Sequence, residues 1–148
     1  MGERRRRTGS FEVERTTGSH EVVDRLFVYG TLRDGQTARS LVANQITHAE
    51  KATVRGAIYA FPMGYPGFVD EAEGVVHGEV LWLVELAATF GLLDAYEGAD
   101  FARMLNQVTL VTGETIWAWV YVLADPKAVK LGTRIEDGDW VRYWTEQG

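Results

Sequence analysis

Two short stretches hold the groups best suited to chemistry, Val28-Tyr29-Gly30-Thr31-Leu32 and Leu92-Leu93-Asp94-Ala95-Tyr96-Glu97-Gly98. The first supplies closely spaced backbone N–H groups at a glycine turn, donors that can bind a carboxylate or a developing oxyanion. The second presents Glu97, a carboxylate able to carry a proton back and forth. Other chemistries fall away on residue type. The chain has no cysteine, hence no thiolate nucleophile and no disulfide framework. Ser10, Ser19 and Ser40 lie outside any Gly-x-Ser-x-Gly elbow, and His20, His48 and His77 pair with nothing at metal-ligand spacing. Lys51, Lys127 and Lys130 follow no glycine-rich loop, which leaves a nucleotide cofactor without a seat. Asp137-Gly138-Asp139 lacks the other ligands of a calcium loop and reads as a turn. What remains is carboxylate chemistry with no metal and no cofactor.

These two stretches need elements to hold them. Leu26 to Tyr29 is β-prone and ends at Gly30, so a strand runs into a loop. Leu41, Val42, Gln45 and Ile46 fall at helical spacing after Thr37, which predicts a short helix. Thr53 to Phe61 and Val75 to Leu86 read as strands, the first broken by Pro62. Ala87 to Glu97 has helical periodicity and stops at Gly98, a suitable C-cap. Glu97 therefore sits at the negative end of a helix dipole, an unfavourable place costing ~0.3–1 kcal/mol, and helix stability does not account for it. A hairpin follows: Arg103 to Val111, the turn Thr112-Gly113-Glu114, then Thr115 to Leu123. Trp117 and Trp119 alternate on its second arm as barrel packing. Trp140, Tyr143 and Trp144 pack back over the body.

Several strands are apolar on both faces and few helices are available to sandwich them. That combination predicts an α+β fold, a small mixed, partly closed β-barrel with a few flanking helices. The 148 residues, 46% hydrophobic and 11% aromatic, suffice for one such domain, placed at residues 25–148. Residues 1–24 read as a flexible polar tail. A net charge of -6 disfavours a nucleic-acid partner, and Arg4 to Arg7 are read as part of a solvated extension. With no long apolar run and no signal core, the expected location is cytoplasmic, away from the membrane. Nothing in the sequence specifies an oligomeric state.

Together the two stretches resemble the γ-glutamylcyclotransferase-like superfamily, which includes the AIG2-like proteins, γ-glutamylamine cyclotransferase and the butirosin-pathway cyclotransferase. Its hallmarks are a Tyr-Gly-(Ser/Thr)-Leu loop after the first strand and a downstream Leu-Asp-x-(Tyr/Phe)-Glu-Gly segment. The resemblance extends through Gly56-Ala57-Ile58-Tyr59, Gly64-Tyr65-Pro66-Gly67, Gly78-Glu79-Val80, Arg103, Trp119-Val120-Tyr121 and Gly138-Asp139-Trp140. It implies a small-molecule γ-glutamyl amide or amine as substrate, released as 5-oxoproline and the free amine. Glu97 would be the catalytic residue, and Tyr29, Gly30, Thr31 and Leu32 the substrate cradle. Tyr96, Phe101 and Tyr121 are candidate walls raising the pKa of Glu97. Arg103 is a candidate for steering a substrate carboxylate, or else an ion-pair partner of Glu79 or Asp100. Many relatives carry a Tyr where this chain has Phe101, so a hydroxyl is lost there. The alternative to an enzyme is a binding or interaction module that keeps the barrel and pocket without turnover.

Overall fold

The computed structural model describes residues 22–147. Nearly all of the expected polar tail, residues 1–21, thus lies outside the described residues. The chain is already anchored just before the first strand, where the Val23 carbonyl accepts a hydrogen bond from Trp119 Nε1 and the Asp24 carbonyl accepts one from the Leu83 N–H.

The strands are β1 (Arg25–Val28), β2 (Ile46–Arg55), β3 (Ala57–Ala60), β4 (Pro66–Val69), β5 (Val75–Leu83), β6 (Phe101–Leu110), β7 (Thr115–Leu123) and β8 (Thr133–Arg134). Helix α1 spans Leu86–Glu97 and α2 spans Trp140–Gln147. The sheet order is β1-β5-β2-β6-β7-β4-β3-β8, and a further parallel pairing of β1 with β7 closes β1, β5, β2, β6 and β7 into a ring. The expected small mixed barrel is therefore present and its ring is closed, with β4, β3 and β8 carried as an extension. Among the described residues no helix is long and apolar enough to cross a membrane.

Alternation on the ring strands feeds two cores, as strands apolar on both faces require. Inside the barrel, Phe27, Val76, Val80, Ala118 and Val120 pack with Phe68, Ile58 and Trp140. On the outer face, Leu26, Val28, Leu81, Leu83 and Tyr121 pack against Phe90 and Leu93 of α1. Trp119 packs edge-on against Phe90, whereas Trp117 is half exposed and does not fill the barrel.

Two expectations are revised and a third is given its form. The helix after Thr37 is two short 3₁₀ turns, Arg39–Leu41 and Ala43–Gln45, and Ile46 already opens β2. Polar residues surround those apolar positions, and a segment this short pays the nucleation cost of a helix with few hydrogen bonds in return. The strand expected from Thr53 to Phe61 is two strands, split at Gly56, whose φ of 148° turns the chain and whose missing Cβ makes room for the Phe68 ring. The aromatic C-terminal segment is a helix, α2, with Trp140 buried and stacked on Trp144 at 5.5 Å.

β7 has two edges. One pairs along its length with β6; the other pairs with β1 at Trp119 and Val120 and then with β4 at Val122. Since a single edge cannot bond two strands at the same residue, β1 must leave β7 where β4 arrives. A gap opens there, and Tyr29 to Leu32 leave β1 beside it. Phe27, only 1% exposed, fills the barrel just beneath this point. Phe27→Ala should cost about 3–5 kcal/mol, read as a lowered urea midpoint with an unchanged m-value.

Candidate active site

The gap is the mouth of a cavity of about 340 Å³ lined by Tyr29 to Leu32, Met63, Tyr65, Pro66, Tyr96, Glu97, Asp100, Phe101 and Tyr121, with Phe27 and Val28 beneath. Glu97 and the Gly30 loop, separated by more than sixty positions in the sequence, thus face one space. Of the side chains singled out from the sequence, Tyr29, Thr31, Leu32, Glu97, Phe101 and Tyr121 line it, as does the backbone at Gly30. Arg103 does not.

Each part is held by identifiable contacts. The Gly30 carbonyl accepts from the Arg33 N–H at 3.0 Å and the Thr31 carbonyl from the Ala38 N–H at 2.9 Å, which fixes the loop by its oxygens. Among the described residues no protein acceptor engages the N–H groups of Gly30, Thr31 or Leu32. Those donors remain available to a ligand. Glu79 anchors the far side of the loop, accepting from the Asp34 N–H and from Arg39 Nη1 at 2.8 Å, while Arg33 pairs with Asp139 at 2.9 Å. Gly30 is required for space: a Cβ would lie 2.6 Å from Pro66 Cγ and 2.9 Å from Cδ, so the approach of the proline ring, more than the turn itself, demands glycine.

Helix α1 delivers Glu97 on its last residue. Gly98, with φ 75°, ends it there, its N–H donating to the Asp94 carbonyl. A Cβ on Gly98 would touch nothing, so the left-handed conformation alone selects glycine. The helix is tied to the loop by a 3.1 Å hydrogen bond between Tyr96 Oη and Thr31 Oγ1. It is tied to the barrel by Asp94, whose carboxylate accepts from Tyr121 Oη at 2.7 Å and from Arg103 Nε and Nη2 at 2.9 and 3.2 Å.

The expectation for Arg103 is corrected on both counts. Its guanidinium pairs with Asp94, not with Glu79 or Asp100, lies 4.3 Å from the Phe90 ring centre and 4.5 Å from that of Trp119, and does not line the cavity. Counting back from the turn Thr112-Gly113-Glu114 sets Arg103 opposite Leu123, whereas the register found is offset by two and sets it opposite Tyr121; an offset of two keeps the face, so the hairpin's alternation already placed Arg103 and Tyr121 on one side. Sequence reasoning gave no site role to Met63, Tyr65, Pro66 and Asp100. They reach the cavity only because β4 joins β7, a tertiary pairing with no local signature.

Burial pushes the Glu97 carboxyl up from 4.5 to about 7. Its position at the negative end of α1 acts in the same direction. Tyr29 is raised well above its ordinary value, first by burial and then by the Glu97 charge, and its hydroxyl donates to the Tyr121 carbonyl at 2.6 Å. Tyr121 is raised by burial and by its bond to Asp94. Asp94 is lowered, chiefly by Arg103. Of the two carboxyls on this face of α1, Asp94 is locked as the anion, while Glu97 can exchange a proton near neutrality.

The architecture is thus a closed mixed barrel with a helix-borne acid and a loop of backbone donors facing one cavity. The chain belongs to the gamma-glutamyl cyclotransferase, AIG2-like family, a model of which matches residues 26–142. It is 35% identical over 119 residues to the gamma-glutamylcyclotransferase family protein ytfP of Citrobacter rodentium, covering 79% of this chain and 95% of the relative. It is 28% identical over 127 residues to the gamma-L-glutamyl-butirosin B gamma-glutamyl cyclotransferase of Niallia circulans, covering 80% and 76%. Among solved structures, YkqA from Bacillus subtilis aligns with TM-score 0.67 at 27% identity over 85% of this chain, which spans 42% of that protein.

Two outcomes test the site. Because Glu97 binds its proton more tightly when folded, its contribution to stability is fully present below pH 4.5 and is lost as the pH rises through about 7. Replacing it by a neutral isostere removes that loss: Glu97→Gln should match wild type at pH 4 and exceed it at pH 8 by about 2–3 kcal/mol, read from urea unfolding at both pH values. Gly30→Ala should fold but push the Pro66 ring into the cavity, and calorimetry should show at least ten-fold weaker binding of a γ-glutamyl ligand.

Proposed function

We infer that this protein is a cyclotransferase that converts a γ-glutamyl amide or amine to 5-oxoproline and the free amine, with Glu97 as the general acid and base. The observation that carries this reading is the meeting of unengaged N–H donors and a carboxyl raised to about 7 in one cavity.

The substrate brings its own nucleophile. With Glu97 ionised, its carboxylate takes a proton from the α-ammonium, and the freed amine attacks the γ-carbonyl carbon, closing a five-membered ring as the carbonyl π electrons move to oxygen. N–H groups of the Gly30 loop are suited to hold oxygen that carries or gains negative charge. As the tetrahedral intermediate collapses, Glu97 gives its proton to the leaving nitrogen while that C–N bond breaks, and the ring nitrogen, which carries two hydrogens after the attack, releases one to the carboxylate so regenerated, leaving the neutral lactam. Base and acid are the same group, and a pKa near the working pH serves both halves.

The protein's remaining task is to hold the flexible glutamyl chain folded, and such orientation can offset up to ~7–11 kcal/mol of the barrier. Floor residues Phe27, Val28, Leu32 and Tyr121 are buried and suited to that packing. The hydroxyl missing at Phe101 leaves an apolar wall in contact with Tyr65, at 6.1 Å between ring centres, which favours the desolvation that lifts Glu97. Such a scheme calls on no metal or cofactor, and a cysteine-free chain suits the cytoplasm.

Incubation with a panel of γ-glutamyl amines should yield 5-oxoproline by mass spectrometry, and Glu97→Gln should lower kcat by ~100–10,000-fold. The pH profile of kcat/KM should rise through an acidic limb near 7 instead of near 4.5, since the free enzyme must present the ionised base. Ligand binding with no turnover by either protein would mean a module that keeps the pocket without the reaction.

A further inference from the structure

Strand β6 has a neighbour on both edges only near its hairpin turn. β7 pairs with it from Phe101 to Thr109 in one unbroken register, whereas β2 pairs with it only at Thr109 and Leu110 and ends at Arg55, where the same register would reach Gln107. From Arg103 to Gln107 the second edge of β6 has no strand against it among the described residues. The Leu110 N–H donates into the hairpin, to the Glu114 carbonyl, and the Val111 N–H donates to the opposite side, to the Lys51 carbonyl of β2. Alternation along an unbulged strand therefore turns the N–H and C=O of Arg103, Leu105 and Gln107 to the open edge. Gln107 agrees, its N–H donating to the side chain of Asn106 at 2.8 Å in place of a ladder partner.

Edges of this kind are ordinarily guarded by Lys, Pro, an inward-pointing charge or a bulge. Ala102 to Val108 has no Pro, no Lys, no acid and no register shift, and it shows apolar side chains on both faces, Met104 being 53% exposed and Leu105 45%. The single charge in the strip, on Arg103, is neutralised within its own chain by Asp94. A net charge of -6 sets two copies of the chain against each other over most of the surface, and this neutral strip is a place where charge does not oppose their approach.

We propose that this edge is an interface at which two copies of the chain pair antiparallel about a two-fold axis, with Leu105 of one copy opposite Leu105 of the other. A row of bare backbone donors and acceptors selects an extended strand as its occupant. A two-fold axis perpendicular to the sheet sets one residue against itself, and Leu105, with N–H and C=O both outward, then exchanges two hydrogen bonds with its own copy. In that register Arg103 faces Gln107 and Met104 faces Asn106, so no charge meets its like and the exposed apolar side chains are covered. The strip is short, which makes the pairing reversible. The interface stands apart from the cavity and does not depend on the reaction proposed for it.

Analytical sedimentation of wild type from about 5 µM to about 500 µM should show a monomer passing into a dimer. Leu105→Lys places two ammonium groups together at the axis and should leave the protein monomeric over the whole range, and Leu105→Glu should do the same. Mixed in equal amounts, the two variants should dimerise with each other, because position 105 of one faces position 105 of the other. In wild type the Leu105 amide should exchange its hydrogen about ten-fold more slowly or better in the concentrated sample than in the dilute one, while the Met104 amide, turned into the hairpin, should be unaffected. A wild type that stays monomeric, a dimer that survives Leu105→Lys, a mixture of the two charge variants that stays monomeric, or a Leu105 amide indifferent to concentration overturns the inference. Hydrogen exchange is read on wild type alone, so it decides the matter even where a variant fails to fold.

Discussion

The whole site follows from a limit on backbone pairing. Strand β7 has one free edge for two parallel neighbours, and β1 gives up that edge between Val120 and Val122 so that β4 can take it. Every group of interest is placed by that exchange. Departing from β7, β1 releases Gly30 to Leu32, whose N–H groups are engaged by no acceptor among the described residues, and arriving β4 brings Tyr65 and Pro66 to the other side. β7 itself contributes Tyr121, whose carbonyl holds Tyr29 and whose hydroxyl holds Asp94. A perfectly paired barrel would have bonded those donors internally and left no cavity.

Helix α1 completes the arrangement at some cost. An acid at the negative end of a helix, half removed from water, is worse off than the same acid at the surface. Three contacts keep it there: Leu93 and Phe90 in the outer core, the Asp94 clasp with Arg103 and Tyr121, and the Tyr96–Thr31 bond. The two carboxyls one turn apart separate cleanly in role. Asp94 has a guanidinium and a phenol to satisfy it and serves as an anchor, while Glu97 has neither and keeps its proton affinity high.

Much of this was readable from residue order. Alternation of apolar residues on both faces of Val75 to Leu83 and Thr115 to Leu123 announced a barrel with a covered exterior, and Gly98 announced the end of α1. Gly30 and Glu97 were legible as chemistry because a glycine turn and a misplaced acid have local signatures. What stayed hidden was set by tertiary contact. Arg103 reads from the sequence either as steering a substrate carboxylate or as a partner of Glu79 or Asp100, and the fold instead binds it to Asp94 against the rings of Phe90 and Trp119. The 3₁₀ turns at Arg39–Leu41 and Ala43–Gln45 mimic helical spacing, yet the loop's bonds to Glu79 fix a different path.

The parallel seam between β1 and β7 joins segments far apart in the chain, and the Tyr29 hydroxyl reaches its acceptor across 92 positions. Pairing of distant segments waits on loop closure, while hairpins such as β6–β7 form locally and early. During synthesis, then, the emerging polypeptide can hold both the glycine turn and the acid and still have no chamber around them. The carboxyl keeps an ordinary proton affinity until the last ring strand clears the ribosome and docks against the first, so its raised proton affinity arrives with the completion of the wall rather than with the acid itself.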